Sequence, residues 1–252
     1  MKPRLPVSIL LMAILLTPTT GLVLAQSNHT LEWGVDVGEE FTYVLQREFY
    51  ADISNEIFLA VQLPFLTGIE AGQKVQLQVD QLDTIENMIN NSLQLPRSLC
   101  TMVRENDSTT ILSEIPSFVV PTGDWDFLDE IENLTGTEGL TLIDTDDEWG
   151  TIGTGTVLGT GGASINVRIE MRYEKENGTL NYLRHKYTTL GNDLIDVIFV
   201  HWYPGMPTII GGGIQTTTLM IIAVSGVMGL IVAFIVYRGI KGKKLMIQRL
   251  GE

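Results

Sequence analysis

The sequence predicts an α+β domain, mainly antiparallel β, that is exported and held in a membrane by one C-terminal helix. Three observations support this prediction. Apolar and polar residues alternate with a period of two in several segments, turn residues separate these segments, and one long uncharged apolar run lies near the C-terminus. We expect a curved sheet or meander with one or two covering helices, and an all-β sandwich is the alternative.

The N-terminus predicts a signal peptide over residues 1–25. Lys2 and Arg4 precede an apolar run over residues 7–16, and Val23 and Ala25 supply the small residues that a signal peptidase reads. A run of about ten residues is too short to span a bilayer, which disfavours the alternative of a second transmembrane helix. We therefore expect residues 26–203 to form an extracellular β-rich domain.

Residues 219–237 predict a transmembrane helix. These nineteen residues contain no charge, and they would rise about 28 Å as a helix, close to the thickness of a bilayer. Basic residues follow in the tail 238–252, whereas the preceding stretch 204–218, a predicted Gly/Thr-rich stalk, is uncharged. The excess of positive charge places the tail in the cytoplasm and the domain outside a cell membrane crossed once.

Within this helix Ser225, Gly229 and Ala233 lie four residues apart, so they share one face. Small residues let two helices approach closely, which makes a homodimer through the membrane one interpretation. The other is the ordinary abundance of small residues in such helices, and the bilayer is then the only partner of the helix.

The predicted domain is strongly acidic. Residues 26–203 hold 29 acidic and 9 basic residues, a net charge of −20. Such a surface repels nucleic acid, so we expect no nucleic-acid partner. A solvated, soluble surface explains the charge, and the alternative is binding of divalent cations or a cationic partner. A surface protein or a glycan is the ligand class that we expect.

The period-two pattern predicts the strands, and turn residues separate them. Asn177-Gly178 is the strongest hairpin signal. The predicted strands are residues 41–49, 74–82, 100–104, 109–113, 140–143, 148–158, 165–173, 180–187 and 194–203.

Three segments carry helical signals. Trp125, Leu128 and Ile131 recur at helical spacing, which predicts a helix over residues 125–133. Residues 55–66 fit a strand or a short helix, and residues 83–91 predict a helical turn.

Five asparagines stand in the pattern Asn-x-Ser/Thr, which accepts N-linked glycans on exported chains. They are Asn28, Asn90, Asn106, Asn133 and Asn177. On the predicted topology all of them lie outside the membrane, so we expect glycosylation on at least one.

No catalytic constellation is found in the sequence, and we expect neither an enzyme nor a cofactor. The three histidines are isolated, and the glycines over residues 153–162 lack the Lys-Ser/Thr of a phosphate loop. Two acidic clusters are calcium candidates, because calcium binds carboxylate oxygens, although such clusters are more often solvated turn and helix-cap acids. One is Asp144, Asp146, Asp147 and Glu148, and the other is Asp124, Asp126, Asp129 and Glu130.

Cys100 is the single cysteine, so no internal disulfide forms. It lies in a predicted strand as a buried thiol, and an intermolecular disulfide is the alternative.

The layout resembles a family of surface proteins. The predicted domain begins with Trp33, Val35, Gly38, Phe41 and Tyr43. The spacing of these residues, together with the signal peptide and the membrane anchor, is similar to the layout of archaeal choice-of-anchor surface proteins, including those of Asgard-type archaea. The resemblance implies a cell-surface location and archaeal glycosylation, and no activity.

A second resemblance concerns one hairpin. Tyr173, Glu174, Lys175, Gly178 and Leu180 are similar to the hairpins of curved-sheet lipid carriers. We therefore expect a membrane-anchored binding or structural domain without catalysis, and the alternative is a tethered carrier of a lipid or other apolar ligand.

Overall fold

One antiparallel sheet of nine strands dominates the computed structural model, which describes residues 29–132, 138–159 and 162–211. Two helices, α1 (Ile53–Gln62) and α2 (Trp125–Glu132), and two short 3₁₀ turns accompany it. The α+β prediction is confirmed, and all nine strands belong to one sheet rather than to the two sheets of a sandwich. The strands are β1 (Glu40–Tyr50), β2 (Lys74–Leu82), β3 (Ser98–Arg104), β4 (Thr110–Pro116), β5 (Leu140–Asp144), β6 (Glu148–Leu158), β7 (Ser164–Glu174), β8 (Leu180–Thr189) and β9 (Asn192–His201).

The strand order is β4-β3-β2-β1-β9-β8-β7-β6-β5. The chain thus forms one meander from β1 to β4 and a second from β5 to β9. The two meanders join where β1 pairs with β9, with Tyr43 opposite His201 and Tyr50 opposite Ile195. The first and last strands therefore lie together in the middle of the sheet.

The sheet is curled at one end, which we call the closed end. It is the end where β1 begins and β9 finishes. The segment 117–122 bridges distant strands there: Ser98 Oγ of β3 donates to Val119 O at 2.8 Å, and Val120 N donates to Gly178 O before β8 at 2.9 Å. Four strand spacings separate β3 from β8, about 19 Å in a flat sheet. The sheet therefore bends to bring these strands to one segment.

Gly178 makes this closure sterically feasible. It has a φ of 76°, and a Cβ atom built there would lie 2.1 Å from Val120 O. Only a residue without a side chain fits both the turn and the close contact.

The main core lies on the concave face, under the helices. Tyr43 stacks on Phe199 with ring centroids 5.2 Å apart, and Phe118 meets Phe65 edge-on at 5.2 Å. Helix α1 contributes the buried Leu59, while α2 contributes a buried pair, Phe127 and Leu128.

The convex face carries ion pairs and a small second core. Arg47 and Arg184 both pair with the buried Asp196, at 2.7 and 2.8 Å. Glu170, also buried, binds Arg168 and Arg172. Because buried carboxylates are stable only when paired, these contacts fix the charged side chains of this face.

The chain continues along the convex face after β9. Met206 and Ile210 pack on the small core that contains Val44, and Ile210 N donates to Gln46 O at 2.9 Å. The first eight residues of the predicted stalk, 204–211, thus belong to the folded domain.

Two uncertain segments are resolved by the fold. The segment that fits strand or helix forms α1, which Asp52 caps by accepting from Ser54 N and Asn55 N. The predicted helical turn over residues 83–91 is wrong. There Asp83 N donates to Arg97 O at 2.9 Å, so this backbone bonds a distant segment instead of itself. A 3₁₀ turn follows at Ser92–Gln94.

The predicted signal peptide and transmembrane helix lie outside the described residues. Within residues 29–132, 138–159 and 162–211, none of the helices has the length and apolar character needed to cross a bilayer.

Candidate functional site

A polar cleft of about 710 Å³ opens at the closed end. Three elements form it: the β5–β6 turn, the β7–β8 hairpin, and the chain just after β9. Its lining consists of Thr145, Asp146, Asp147, Glu148, Glu174, Lys175, Glu176, Asn181 and Tyr203. With five carboxylates and one lysine, the lining concentrates the negative charge of the domain.

Glu174 organises one wall of the cleft. His201 Nδ1 lies 3.1 Å from Glu174 Oε1, and the Tyr203 hydroxyl donates to the same oxygen. Asn177 Nδ2 donates to Glu174 Oε2 at 3.1 Å. Tyr203 and His201 also contact each other, with 2.9 Å between the hydroxyl and Nδ1. The strand order makes this cluster, because it brings the end of β7 close to the end of β9.

These contacts determine the ionisation states of Glu174 and Tyr203. Burial alone would raise the pKa of the Glu174 carboxyl, but the hydrogen bonds from His201, Tyr203 and Asn177 outweigh it and lower the pKa. Burial, together with the Glu174 charge, raises the pKa of the Tyr203 hydroxyl. The wall therefore presents an anionic carboxylate and a neutral phenol at neutral pH.

Tyr43 lies behind this wall, in the core of the domain. It is fully buried, and its ring stacks on His201 with centroids 5.2 Å apart. Its hydroxyl has no hydrogen-bond partner among the described residues. Burial raises the pKa of this hydroxyl well above its ordinary value, so it stays neutral.

The opposite wall is acidic and only partly neutralised. Lys175 pairs with Asp144 beside the cleft. Within the described ranges, no cation lies at ion-pair distance from Asp146, Asp147 or Glu176. Chemically, the cleft suits a ligand with an ammonium or guanidinium group, because charge-assisted hydrogen bonds to carboxylates are the strongest that such groups make.

The calcium candidates of the β5–β6 turn have different partners. Asp144 binds Lys175, whereas Glu148 accepts from Arg172 at 3.1 Å and from Asn181 at 2.6 Å. Among the residues that the structure describes, no group of three or more His, Cys, Asp or Glu side chains lies close enough to hold a metal ion.

The second acidic cluster stabilises local structure. Asp124 accepts from Phe127 N at 3.1 Å at the start of α2, and its other oxygen accepts from Thr30 N. Asp129 accepts from the Trp149 indole and so holds α2 on the sheet. Asp126 and Glu130 belong to the same helix.

The glycosylation candidates differ in exposure. Asn90 and Asn106 are exposed in loops that flank β3. Asn177 is half-buried, and the nitrogen that would carry a glycan donates to Glu174. Asn28 and Asn133 lie outside the described residues, as do the helix-contact candidates Ser225, Gly229 and Ala233.

Cys100 is a free, buried thiol on β3. Burial raises the pKa of this thiol to about 12, so it is a poor nucleophile at neutral pH.

Sequence reasoning missed the Glu174 cluster. Each of its members reads as an isolated residue in or beside a strand. The available signal was the spacing of His201 and Tyr203, two residues apart at the end of a predicted strand, opposite the Asn177-Gly178 turn. Only the strand order places Glu174 beside them.

Comparisons of the chain with protein-family models, with curated proteins and with solved structures find no match.

Proposed function

We propose that the protein is a membrane-anchored cell-surface binding module, of the kind that the sequence resembles, which takes a cationic ligand in its closed-end cleft and performs no catalysis. One observation supports this most: the cleft of about 710 Å³ is lined by five carboxylates and a single lysine. A basic peptide segment of a surface protein, or an amino sugar of a glycan, has the matching charge.

The chemistry of the cleft favours binding over a purely solvated surface. Asp146, Asp147 and Glu176 come from two different turns and line one concavity. A cationic ligand in this concavity can contact all three carboxylates, and charge-assisted hydrogen bonds are stronger than those between neutral groups. The Glu174 wall supplies a fixed carboxylate and a phenol, which orient the hydrogen bonds of the ligand.

The carrier alternative has less support. A carrier needs an enclosed apolar space, but the concave face beneath α1 is filled by Leu59, Phe65 and Phe118 packed on the sheet. The acidic cleft and the groove around Thr154 and Lys186 both open to solvent. Ligand retention after purification, measured by mass spectrometry, would favour the carrier.

Binding of an oligo-arginine peptide to the full-length protein in phosphatidylcholine nanodiscs tests the proposal. The variant Asp146→Asn/Asp147→Asn/Glu176→Gln removes three cleft charges. We expect it to weaken binding, measured by fluorescence anisotropy, several-fold more than a matched control, because the control changes the net charge equally elsewhere.

The control is Glu70→Gln/Glu86→Gln/Glu105→Gln, three exposed acids outside the cleft. Equal weakening in both variants would show that only net charge matters and would reject the cleft as a site. Protease added to intact cells tests the topology separately, and an uncut domain would reject the surface location.

A further inference from the structure

The end of the sheet opposite the closed end, which we call the open end, exposes large apolar side chains. Leu190, in the β8–β9 turn, is 94% exposed, and Leu158, at the end of β6, is 75% exposed. On α1, Ile53, Ile57 and Val61 are 66%, 60% and 69% exposed. We call these five residues the apolar rim.

The elements that carry the apolar rim adjoin one another. Ala51 N donates to Leu194 O at 2.9 Å, which joins the start of α1 to β9. Thr189 Oγ1 donates to Ser164 O at 3.0 Å, and Leu158 pairs with Ser164. The α1 junction, the β8–β9 turn and the β6–β7 hairpin thus form one edge, so the rim belongs to a single surface.

Leu190 has an unfavourable backbone conformation, and its side chain makes no packing contact in the core that would compensate for it. It has a φ of 49° and Gly191 has a φ of 82°, in the two-residue turn between the paired Thr189 and Asn192. Such turns favour Asn-Gly, because a leucine in the left-handed region is strained. Its side chain contributes nothing to the core. A strained, exposed leucine is therefore better explained by a partner outside the fold.

Helix α1 shows the same excess of apolar residues. Its inner face packs on the sheet through the buried Leu59 and through Phe58, whose ring meets Tyr187 at 5.7 Å. Ile53, Ile57 and Val61 recur every four residues on a second stripe that faces solvent. A surface helix needs one apolar face for the core, so the second stripe is available for another partner.

The chain leaves the described structure in the direction of the open end. Trp202 N donates to Thr42 O, Ile210 N to Gln46 O, and Arg47 Nη1 donates to Gly211 O, so the chain follows β1 from its start toward its end. Only residues 212–218 separate Gly211 from the apolar run. Seven residues reach at most about 25 Å, and only the last three residues of β1 lie beyond Arg47. The linker is therefore long enough to place a bilayer that holds the anchor at this end.

The charges near the rim indicate the kind of surface that it contacts. Asp52 and Glu56 flank the α1 stripe, and Lys186 is paired with Asp193 at 3.1 Å. The rim therefore lacks the basic cluster that binds anionic headgroups, and its contact depends on apolar burial in an uncharged lipid interface.

We propose that the apolar rim inserts into the outer surface of the bilayer that holds the anchor, so that the domain stands with its open end on the membrane and its acidic cleft away from it. This inference rests on the proposed membrane anchoring. The eleven residues of β7 span about 36 Å, which is the distance from the bilayer at which the closed end would lie.

Depth-dependent quenching tests the orientation in the full-length protein. Leu190→Cys and, separately, Leu158→Cys carry an environment-sensitive fluorophore, while Cys100 is buried and does not compete for the label. Val37→Cys is the matched control, since Val37 is an apolar residue 60% exposed beside the closed end. Each labelled protein is reconstituted in phosphatidylcholine vesicles that contain a nitroxide-bearing lipid. We expect several-fold stronger quenching at positions 190 and 158 than at position 37.

Flotation with the vesicles after an alkaline wash distinguishes failure of the proposed membrane anchoring from failure of the proposed rim insertion. Protein that does not float with the vesicles would overturn the anchoring and the rim together. Protein that floats but shows equal quenching at all three positions would overturn the rim alone. Quenching of the position-190 label by a nitroxide on a second copy, in vesicles free of nitroxide lipid, would identify the rim as a subunit interface and also overturn it.

Discussion

The closed and open ends of the sheet satisfy different requirements. At the closed end the segment 117–122 bridges the strands, and the polar groups of Glu174, His201 and Tyr203 bind one another. At the open end the turns are tight, and large apolar side chains such as Leu190 reach solvent. At the closed end these polar side chains are fixed by contacts within the domain, whereas at the open end Leu190 and Leu158 remain exposed to solvent.

The largest effect is expected for Phe118→Ala. Phe118 is buried at the closed end, where its ring lies 5.5 Å from Tyr43 and 5.2 Å from Phe65. The cavity left should lower the free energy of unfolding by about 3–5 kcal/mol, measured by urea denaturation. The open-end control Leu190→Ala should change it by less than about 0.5 kcal/mol. Similar losses in both variants would contradict the comparison.

Acidification should lower the free energy of unfolding through His185, which lies between the two ends of the sheet. Burial lowers the pKa of its imidazole from 6.5 to about 4. As the pH falls below 6.5 the unfolded chain binds a proton that the folded protein still rejects, so unfolding becomes easier. The loss reaches at most about 3 kcal/mol near pH 4, at roughly 1.4 kcal/mol per pKa unit.

The variant His185→Leu isolates this effect. It should remove most of the loss of stability between pH 6.5 and pH 4.5, measured as the urea midpoint at each pH, because leucine does not titrate. An unchanged pH dependence in the variant would assign the loss to other groups.

Glu174→Gln should cost about 1–3 kcal/mol at pH 7, because it weakens the contacts of His201, Tyr203 and Asn177 at the closed end. The lowered pKa of Glu174 gives the direction in which this stabilisation changes with pH. The carboxylate stabilises the fold above its ordinary pKa of 4.5, and this contribution is lost as the pH falls through the lowered value. The difference in melting temperature between the two proteins should therefore shrink in acid. Glu176→Gln, two residues along and exposed, should change little at either pH.

The smallest expected effect is an increase in the free energy of unfolding, caused by a substitution at the open end. Leu190→Asn keeps the turn but places there a residue that tolerates the left-handed conformation. It should raise the free energy of unfolding by up to about 1 kcal/mol, whereas Leu190→Ala should not. A destabilised Leu190→Asn protein would mean that the leucine contributes to the fold after all.

Local chemistry made most of the strands predictable. The period-two alternation identified β2 over Lys74–Leu82 with the bounds observed, and the candidate strand over Glu148–Leu158 is β6. The Asn177-Gly178 turn correctly predicted the hairpin of β7 and β8. The helix predicted from Trp125 onward is also present. These features depend on neighbouring residues, which a sequence displays directly.

The arrangement of the strands was not predictable in this way. The pairing of β1 with β9, and the segment that curls the sheet, join residues far apart in the chain, for which periodicity gives no signal. The sequence did not reveal the candidate site for the same reason, because the contact between Glu174 and His201 can be inferred only from the strand order. The failed prediction over residues 83–91 has this origin too, since Arg97 competes for its backbone.

The pairing of β1 with β9 has a consequence for biosynthesis. Residues 51–191 separate these two strands, so the ribosome completes almost the whole domain before β1 acquires its second neighbour. Until then β1 presents an unpaired edge with the apolar residues Phe41, Tyr43 and Leu45, and such edges associate with other chains. Long-range pairings of this kind also form slowly. A nascent chain of this protein should therefore depend on a holdase chaperone or on rapid translocation.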